Sequence, residues 1–94
     1  MNTFERVLKV VCAEFGVSRT QVLAPTRSTR DASWARQVAM YLYYTTSKAS
    51  YSQVGVKFNR DRTTVRHAVW TCDDKMTPEM RKRLLNDVQS TAAV

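Results

Sequence analysis

Glycine and proline are scarce in this chain, two of each in 94 residues. That scarcity argues against a sandwich of short strands, which would need such residues at its tight turns. Two glycines also cannot build a glycine-rich phosphate loop, so no nucleotide is expected, and no cofactor is assigned. Cysteine is equally sparse. Cys12 and Cys72 are too few and too far apart for a disulfide scaffold or a paired-cysteine zinc site; both fall near helical apolar stripes, so they are expected as small reduced core residues, with no metal site. The single histidine, His67, suggests no Ser-His-Asp or Cys-His pairing, so no catalytic residue is assigned and an enzyme is the least expected class. Long apolar runs are missing as well. Glu5, Arg6, Lys9 and Glu14 interrupt the start of the chain, unlike a signal peptide, and no stretch approaches membrane-spanning length, which points to a cytoplasmic protein with no membrane partner.

Positive charge is abundant. Fifteen Lys and Arg against eight Asp and Glu give a formal charge of +7, the signature of a polyanion partner. Ten of the fifteen are arginines, whose planar fork pairs bidentately with phosphate or a guanine edge where an ammonium acts as a point charge. Apolar residues recur at helical spacing and no segment alternates with the period of a strand. The expectation is an all-α, compact domain of five to six helices over residues 1–94, with a core at 1–74 and a last helix and frayed tail at 75–94.

Thr3 is read as the cap of a first helix running to Phe15, with Gly16 ending it. Ser18 and Gln21 form a capping-box pattern, with Val17 and Val22 spaced as a hydrophobic staple, opening a short helix to Leu23. The segment from Pro25 to Asp31 reads as an exposed basic loop carrying Arg27 and Arg30. A third helix is expected from about Ala32 to Thr46, its tyrosines Tyr43 and Tyr44 serving either packing or phosphate. Ser50 and Gln53 repeat the capping box and open a short helix to about Lys57. Asn59 suits a left-handed turn, and Asp61 can cap a helix reaching about Asp73. Thr77, Pro78 and Glu79 start a final helix to about Gln89, striped by Met80, Leu84, Leu85 and Val88.

Two helices joined at Asn59 and Arg60 have the layout of a helix-turn-helix. On the second, Val65, Ala68, Val69 and Cys72 share one face and must turn inward. Thr63, His67 and Trp70 are left outward, with Thr64 and Arg66 on the flanks and Arg62 at the exposed first turn. The first turns of a helix in the major groove meet base edges, which makes Asp61, Arg62, Thr63, Thr64 and Arg66 candidate base readers. Their chemistry suits this: arginine fits guanine O6 and N7, threonine a thymine methyl, and aspartate accepts from cytosine N4.

The run from Phe58 through Asn59, Arg60, Asp61, Arg62, Thr63, Thr64, Val65 and Arg66 to Ala68, with the segments Ala35 to Leu42 and Ser50 to Gly55, resembles the C-terminal DNA-binding domain of the bacterial chromosomal replication initiator DnaA. The resemblance extends from about Phe4 to Val69. It implies an all-helical fold related to that of the Trp repressor, with double-stranded DNA as partner. It implies major-groove reading by Asp61, Arg62, Thr63 and Thr64 with Ser52, and backbone contacts from Arg36, Gln37 and His67. Arg27 and Arg30 would serve the minor groove, and Lys48, Ser50 and Arg60 join the backbone set. The family usually has two glycines where this chain has Asn59 alone, a histidine where Arg62 stands, and a loop arginine where Ser28 stands.

The leading expectation is therefore sequence-specific binding of duplex DNA, regulating transcription or replication at the nucleoid, with a homodimer or a second DNA-bound protein as a possible aid to specificity. Two alternatives stay open on the sequence: a charge-driven, non-specific DNA coat, and an adaptor whose Met80, Leu84 and Val88 dock a partner helix.

Overall fold

The computed structural model describes residues 2–24 and 29–92. Six helices follow one another: α1 Thr3–Phe15, α2 Arg19–Leu23, α3 Arg30–Ser47, α4 Tyr51–Phe58, α5 Arg62–Lys75 and α6 Pro78–Ala92, with no strand among the described residues. Local chemistry fixes most of their ends. Both capping boxes form, Ser18 with Gln21 and Ser50 with Gln53, each hydroxyl accepting a backbone amide at 3.1 Å while each glutamine accepts in return at 2.8 Å. Gly16 ends α1 in the left-handed conformation, φ 63°.

Four boundaries differ from expectation. Asn2, not Thr3, caps α1, its side-chain oxygen accepting the Glu5 amide at 2.8 Å. Thr29 caps α3 by accepting the Ala32 amide at 3.2 Å, so Arg30 and Asp31 belong to the first helical turn rather than to a loop. The rest of that expected loop, residues 25–28 with Arg27, lies outside the described residues. α5 runs on to Lys75, and α6 runs on to Ala92 because no glycine or proline follows Gln89 to stop it. Of the tail expected to fray, residues 93–94 also lie outside the described part.

α3 is the central helix, packed against both α1 and α5, with α4 lying chiefly on α5 and α6 chiefly on α1. Val7, Val11, Val38, Leu42, Val65 and Leu84 are fully buried at their meeting point. Phe4, Tyr43 and Phe58 meet edge to face, with ring centroids 5.2 to 6.3 Å apart, joining α1, α3 and α4. Tyr44 stacks on Tyr51 at 4.9 Å. Packing is thus what occupies both tyrosine rings. Leu84 and Val88 of α6 are buried in the same core, and Met80 and Leu85 pack against it. Arg83 bonds both Glu14 carboxylate oxygens, at 2.6 and 2.9 Å, fastening α6 to α1, and Arg19 pairs with Glu5 to fasten α2 to α1.

The two cysteines are free thiols, but they are not equivalent core residues as expected. Cys72 is fully buried, and burial, helped by the neighbouring Asp73, pushes its pKa up to about 12. Cys12 is half-buried at the rim of the core; burial raises its pKa too, against the opposing pull of Arg19. The thiolate is the reactive form, and a pKa of about 12 leaves on the order of one Cys72 in 10,000 ionised at pH 8. A thiol reagent is therefore expected to label native protein once, at Cys12, and twice only after denaturation; peptide mass mapping reads both outcomes. No helix among the described residues is long and apolar enough to cross a membrane.

Candidate nucleic-acid interface

The turn between α4 and α5 is built from one left-handed residue. Asn59 adopts φ 55°, and its amide donates to the Val56 carbonyl at 3.4 Å while the Arg60 amide donates to the Gly55 carbonyl at 2.8 Å. The chain reverses so tightly that a Cβ on Gly55 would lie 2.3 Å from the Arg60 carbonyl oxygen. Asp61 then caps α5, its Oδ2 accepting the Thr63 amide at 3.0 Å. That backbone bond, with the Thr63 hydroxyl, holds the Asp61 carboxyl below the usual carboxylate range, so the cap stays ionised near neutrality.

α5 is amphipathic as expected, with Val65, Ala68, Val69 and Cys72 buried. Asp61, Arg62, Thr63, Thr64, Arg66, His67 and Trp70 are all exposed. Shallow depressions flank the start of this helix. One is lined by Ser52, Val56, Asn59, Arg60, Asp61 and Arg62, which brings Ser52 of α4 beside the first residues of α5. Another, against α3, is lined by Ser33, Arg36, Gln37, Thr64, His67 and Thr71 among others. A neighbouring depression shares Ser33 and Gln37 and continues the polar, basic surface to Arg30, Trp34 and Lys75. On the outward face itself, the Arg66 guanidinium lies over the Trp70 indole, 5.1 Å from its centroid, and His67 meets the same indole edge-on at 6.2 Å.

Two arginines expected at the DNA backbone spend donors on the protein's own carbonyls. Arg36 is buried, its Nε donating to the Val22 carbonyl at 2.6 Å and its Nη2 to the Gln21 carbonyl at 3.0 Å. Arg60 is half-buried and donates to the carbonyls of Phe58 at 3.2 Å and Asn59 at 3.1 Å, and to that of Ala24. Both close the end of α2, whose last carbonyls have no partner within so short a helix. Burial, with Arg60 nearby, lowers the Arg36 pKa. Lys48, exposed and left-handed at φ 57°, and Ser50, engaged in its capping box, stand at the α3–α4 junction. Sequence reasoning passed over Ser33, Thr71 and Lys75. Ser33 lies one helical turn before Gln37, and that spacing was the available signal; Lys75 had none, because it sits beyond the expected end of its helix. Val56, 81% exposed beside Ser52 and Arg62, was likewise unremarked.

Six helices among the described residues, a tight α4–α5 turn and an exposed, arginine-bearing face on α5 have the layout of a helix-turn-helix of the DNA-binding class. The chain belongs to the bacterial dnaA protein helix-turn-helix family, whose model matches residues 4–71, from α1 into α5. Among its relatives, the chromosomal replication initiator protein DnaA of Rhizobium meliloti (strain 1021) is 39% identical over 92 residues, covering 88% of this chain and 19% of the relative. The DnaA of Brucella abortus biovar 1 (strain 9-941) is 37% identical, covering 88% and 18%, and that of Synechococcus sp. (strain JA-2-3B'a(2-13)) is 39% identical over 72 residues, covering 76% and 15%. The chain therefore spans about a fifth or less of the length of these relatives.

Proposed function

We propose that this chain binds duplex DNA sequence-specifically, setting the start of α5 into the major groove and regulating replication or transcription at the nucleoid. One observation carries the reading: Arg62, Thr63, Thr64 and Arg66 are exposed together at the start of α5, and among the described residues neither arginine closes a salt bridge, Arg62 sharing only the field of the adjacent Asp61. Elsewhere on the surface Arg19 and Arg83 are paired with glutamates. Asp61 anchors the helix start and offers its remaining acceptor capacity to a cytosine N4. Ser52, beside Arg62, joins the base-reading set, and Gln37, Ser33 and Thr71, beside Thr64, serve the phosphate backbone that borders the groove. Arg30 and Lys75 extend that track, and Lys48 and Ser50 add donors at the α3–α4 junction. His67 serves the phosphates on the α3 side. Arg27 is assigned to the minor groove on the family resemblance alone.

The relatives are named as chromosomal replication initiators, which makes sites near or overlapping an initiator's the first place to look for this chain. A charge-driven coat shares the +7 but not the need for exposed threonines at the start of the recognition helix. The adaptor reading loses its main feature, since Leu84 and Val88 are already covered within this domain.

Selection from a randomised duplex pool at physiological salt is the test. Enrichment of one compact motif supports the proposal; retained DNA without enrichment means a non-specific coat, and no retained DNA ends the reading. Within an enriched motif, Arg62→Ala is expected to cost about 1–3 kcal/mol at one or two base pairs. Uniform weakening over unrelated duplexes would instead make Arg62 a phosphate contact, and a titration of matched single-base variants separates the two.

A further inference from the structure

Trp70 is 56% exposed, the larger of the two big apolar side chains that the described surface leaves out. It adds little to the core, yet it is not unattached. It stands on the outward stripe of α5 with Thr63 two turns before it, and Arg66 and His67 both close on its ring. The geometry of the Arg66 contact is informative. A cation–π contact engages the ring's π cloud and not a lone-pair acceptor, so a guanidinium held over an indole keeps its planar fork of five N–H donors for other partners. Among the described residues Arg66 has no carboxylate partner, in contrast to Arg19 and Arg83. What restrains its long side chain is the indole at 5.1 Å.

An arginine that meets a base from a freely rotating start must lose its rotamer freedom on binding. One already held over an aromatic ring has lost part of it beforehand, and affinity gains accordingly. We infer that Trp70 is a positioning residue, its indole holding the Arg66 guanidinium with its donor edge toward a guanine of the bound duplex, and His67 set edge-on to steady the ring. The inference rests on the base-reading role proposed above and adds to it the device that makes one arginine selective. Trp70 need not touch DNA to do this.

The test uses the full chain and the duplex that the wild-type protein enriches, with each guanine replaced in turn by 7-deazaguanine, which lacks the N7 acceptor. For wild type, replacement at the guanine read by Arg66 is expected to weaken binding about ten-fold or more. Arg66→Ala should be indifferent to that replacement. Trp70→Ala should shrink the same penalty by about three- to ten-fold, the value of one immobilised side chain, while Trp70→Phe, which keeps an aromatic face, restores most of it. Adding Trp70→Ala to Arg66→Ala should change nothing further. A full penalty in Trp70→Ala overturns the inference and leaves DNA reading intact. Equal weakening of every duplex by Trp70→Ala, or an undiminished effect of that change in the Arg66→Ala background, overturns it as well, because the indole would then be a contact in its own right. Arg66→Ala that weakens all duplexes alike also overturns it, by making Arg66 a phosphate contact. A wild-type chain that enriches no motif overturns both this inference and the reading beneath it.

Discussion

Replacing Gly55 by alanine is expected to lower stability by about 2 kcal/mol, and Tm by on the order of 10 °C, while also abolishing sequence preference on DNA. Helix propensity alone predicts the opposite sign. Gly55 lies within α4, where alanine would gain about 1 kcal/mol. The gain is outweighed because the new Cβ would stand 2.3 Å from the Arg60 carbonyl oxygen, and that oxygen belongs to backbone, not to a side chain that can swing away. Relief requires α4 to withdraw from the segment that carries Asp61 and Arg62, whose amide nitrogen is itself only 3.7 Å from that Cβ. Such a movement strains the 2.8 Å bond from the Arg60 amide to the Gly55 carbonyl and re-aims the cap of α5. Base reading tolerates little of this, since a constellation displaced by about 1 Å no longer matches the edges it meets. Gly16→Ala is the control. Its φ of 63° penalises any side chain by about 1–2 kcal/mol, but nothing lies within 4 Å of the added Cβ and the residue is far along the chain from the turn. It should lose comparable stability and keep full sequence preference. Thermal melts and selection on both variants would check the pair, and a Gly55→Ala protein that melts like wild type would refute the steric account.

What the sequence made legible was local. Capping boxes, the glycine ending α1, the asparagine at the turn and the aspartate opening α5 each declare themselves within four residues, because the atoms that pair are that close along the chain. The inward face of α5 was readable for the same reason, through helical period. Errors arose where two local signals competed or a distant one decided. Asn2 and Thr3 are both good caps, and only the extended backbone of Asn2 separates them. Thr29 opens α3 ahead of two charged residues, where the apolar stripe that would have marked the helix has not begun. The closeness of Gly55 to Arg60 depends on how the turn closes, and Arg60's bond to Ala24 spans 36 positions, beyond any periodicity. Composition implied that arginines meet phosphate; it could not say which of them the fold would retain for itself. Trp70 was assigned outward correctly, but its pairing with Arg66 needed side-chain geometry.

Arg36 is where that distinction has its largest expected consequence. Its guanidinium supplies donors to the carbonyls of Gln21 and Val22 at the end of the five-residue α2, a helix too short to stand alone. Arg36→Met preserves much of the volume and removes every donor. Hydrogen bonds from a charged group contribute about 1.5–3 kcal/mol each, and a buried carbonyl left unpaired costs about 1–3 kcal/mol. Some of that is offset because a buried cation no longer has to be desolvated, and desolvation is the main cause that lowers the Arg36 pKa. A net loss of about 2–4 kcal/mol is expected, on the scale of breaking a buried network. Arg36→Lys should rescue little, because one ammonium cannot reproduce the fork that reaches two successive carbonyls. The DNA measurement points the other way. If Arg36 acted chiefly on phosphate, Arg36→Met would leave the melt unchanged and reduce the dependence of binding on salt by about one counterion. The expected result is a large fall in Tm with the salt slope unchanged at temperatures where the variant stays folded. That outcome would assign Arg36 to holding α2 beneath the interface and leave the phosphate track to Gln37, Arg30, Lys75 and His67.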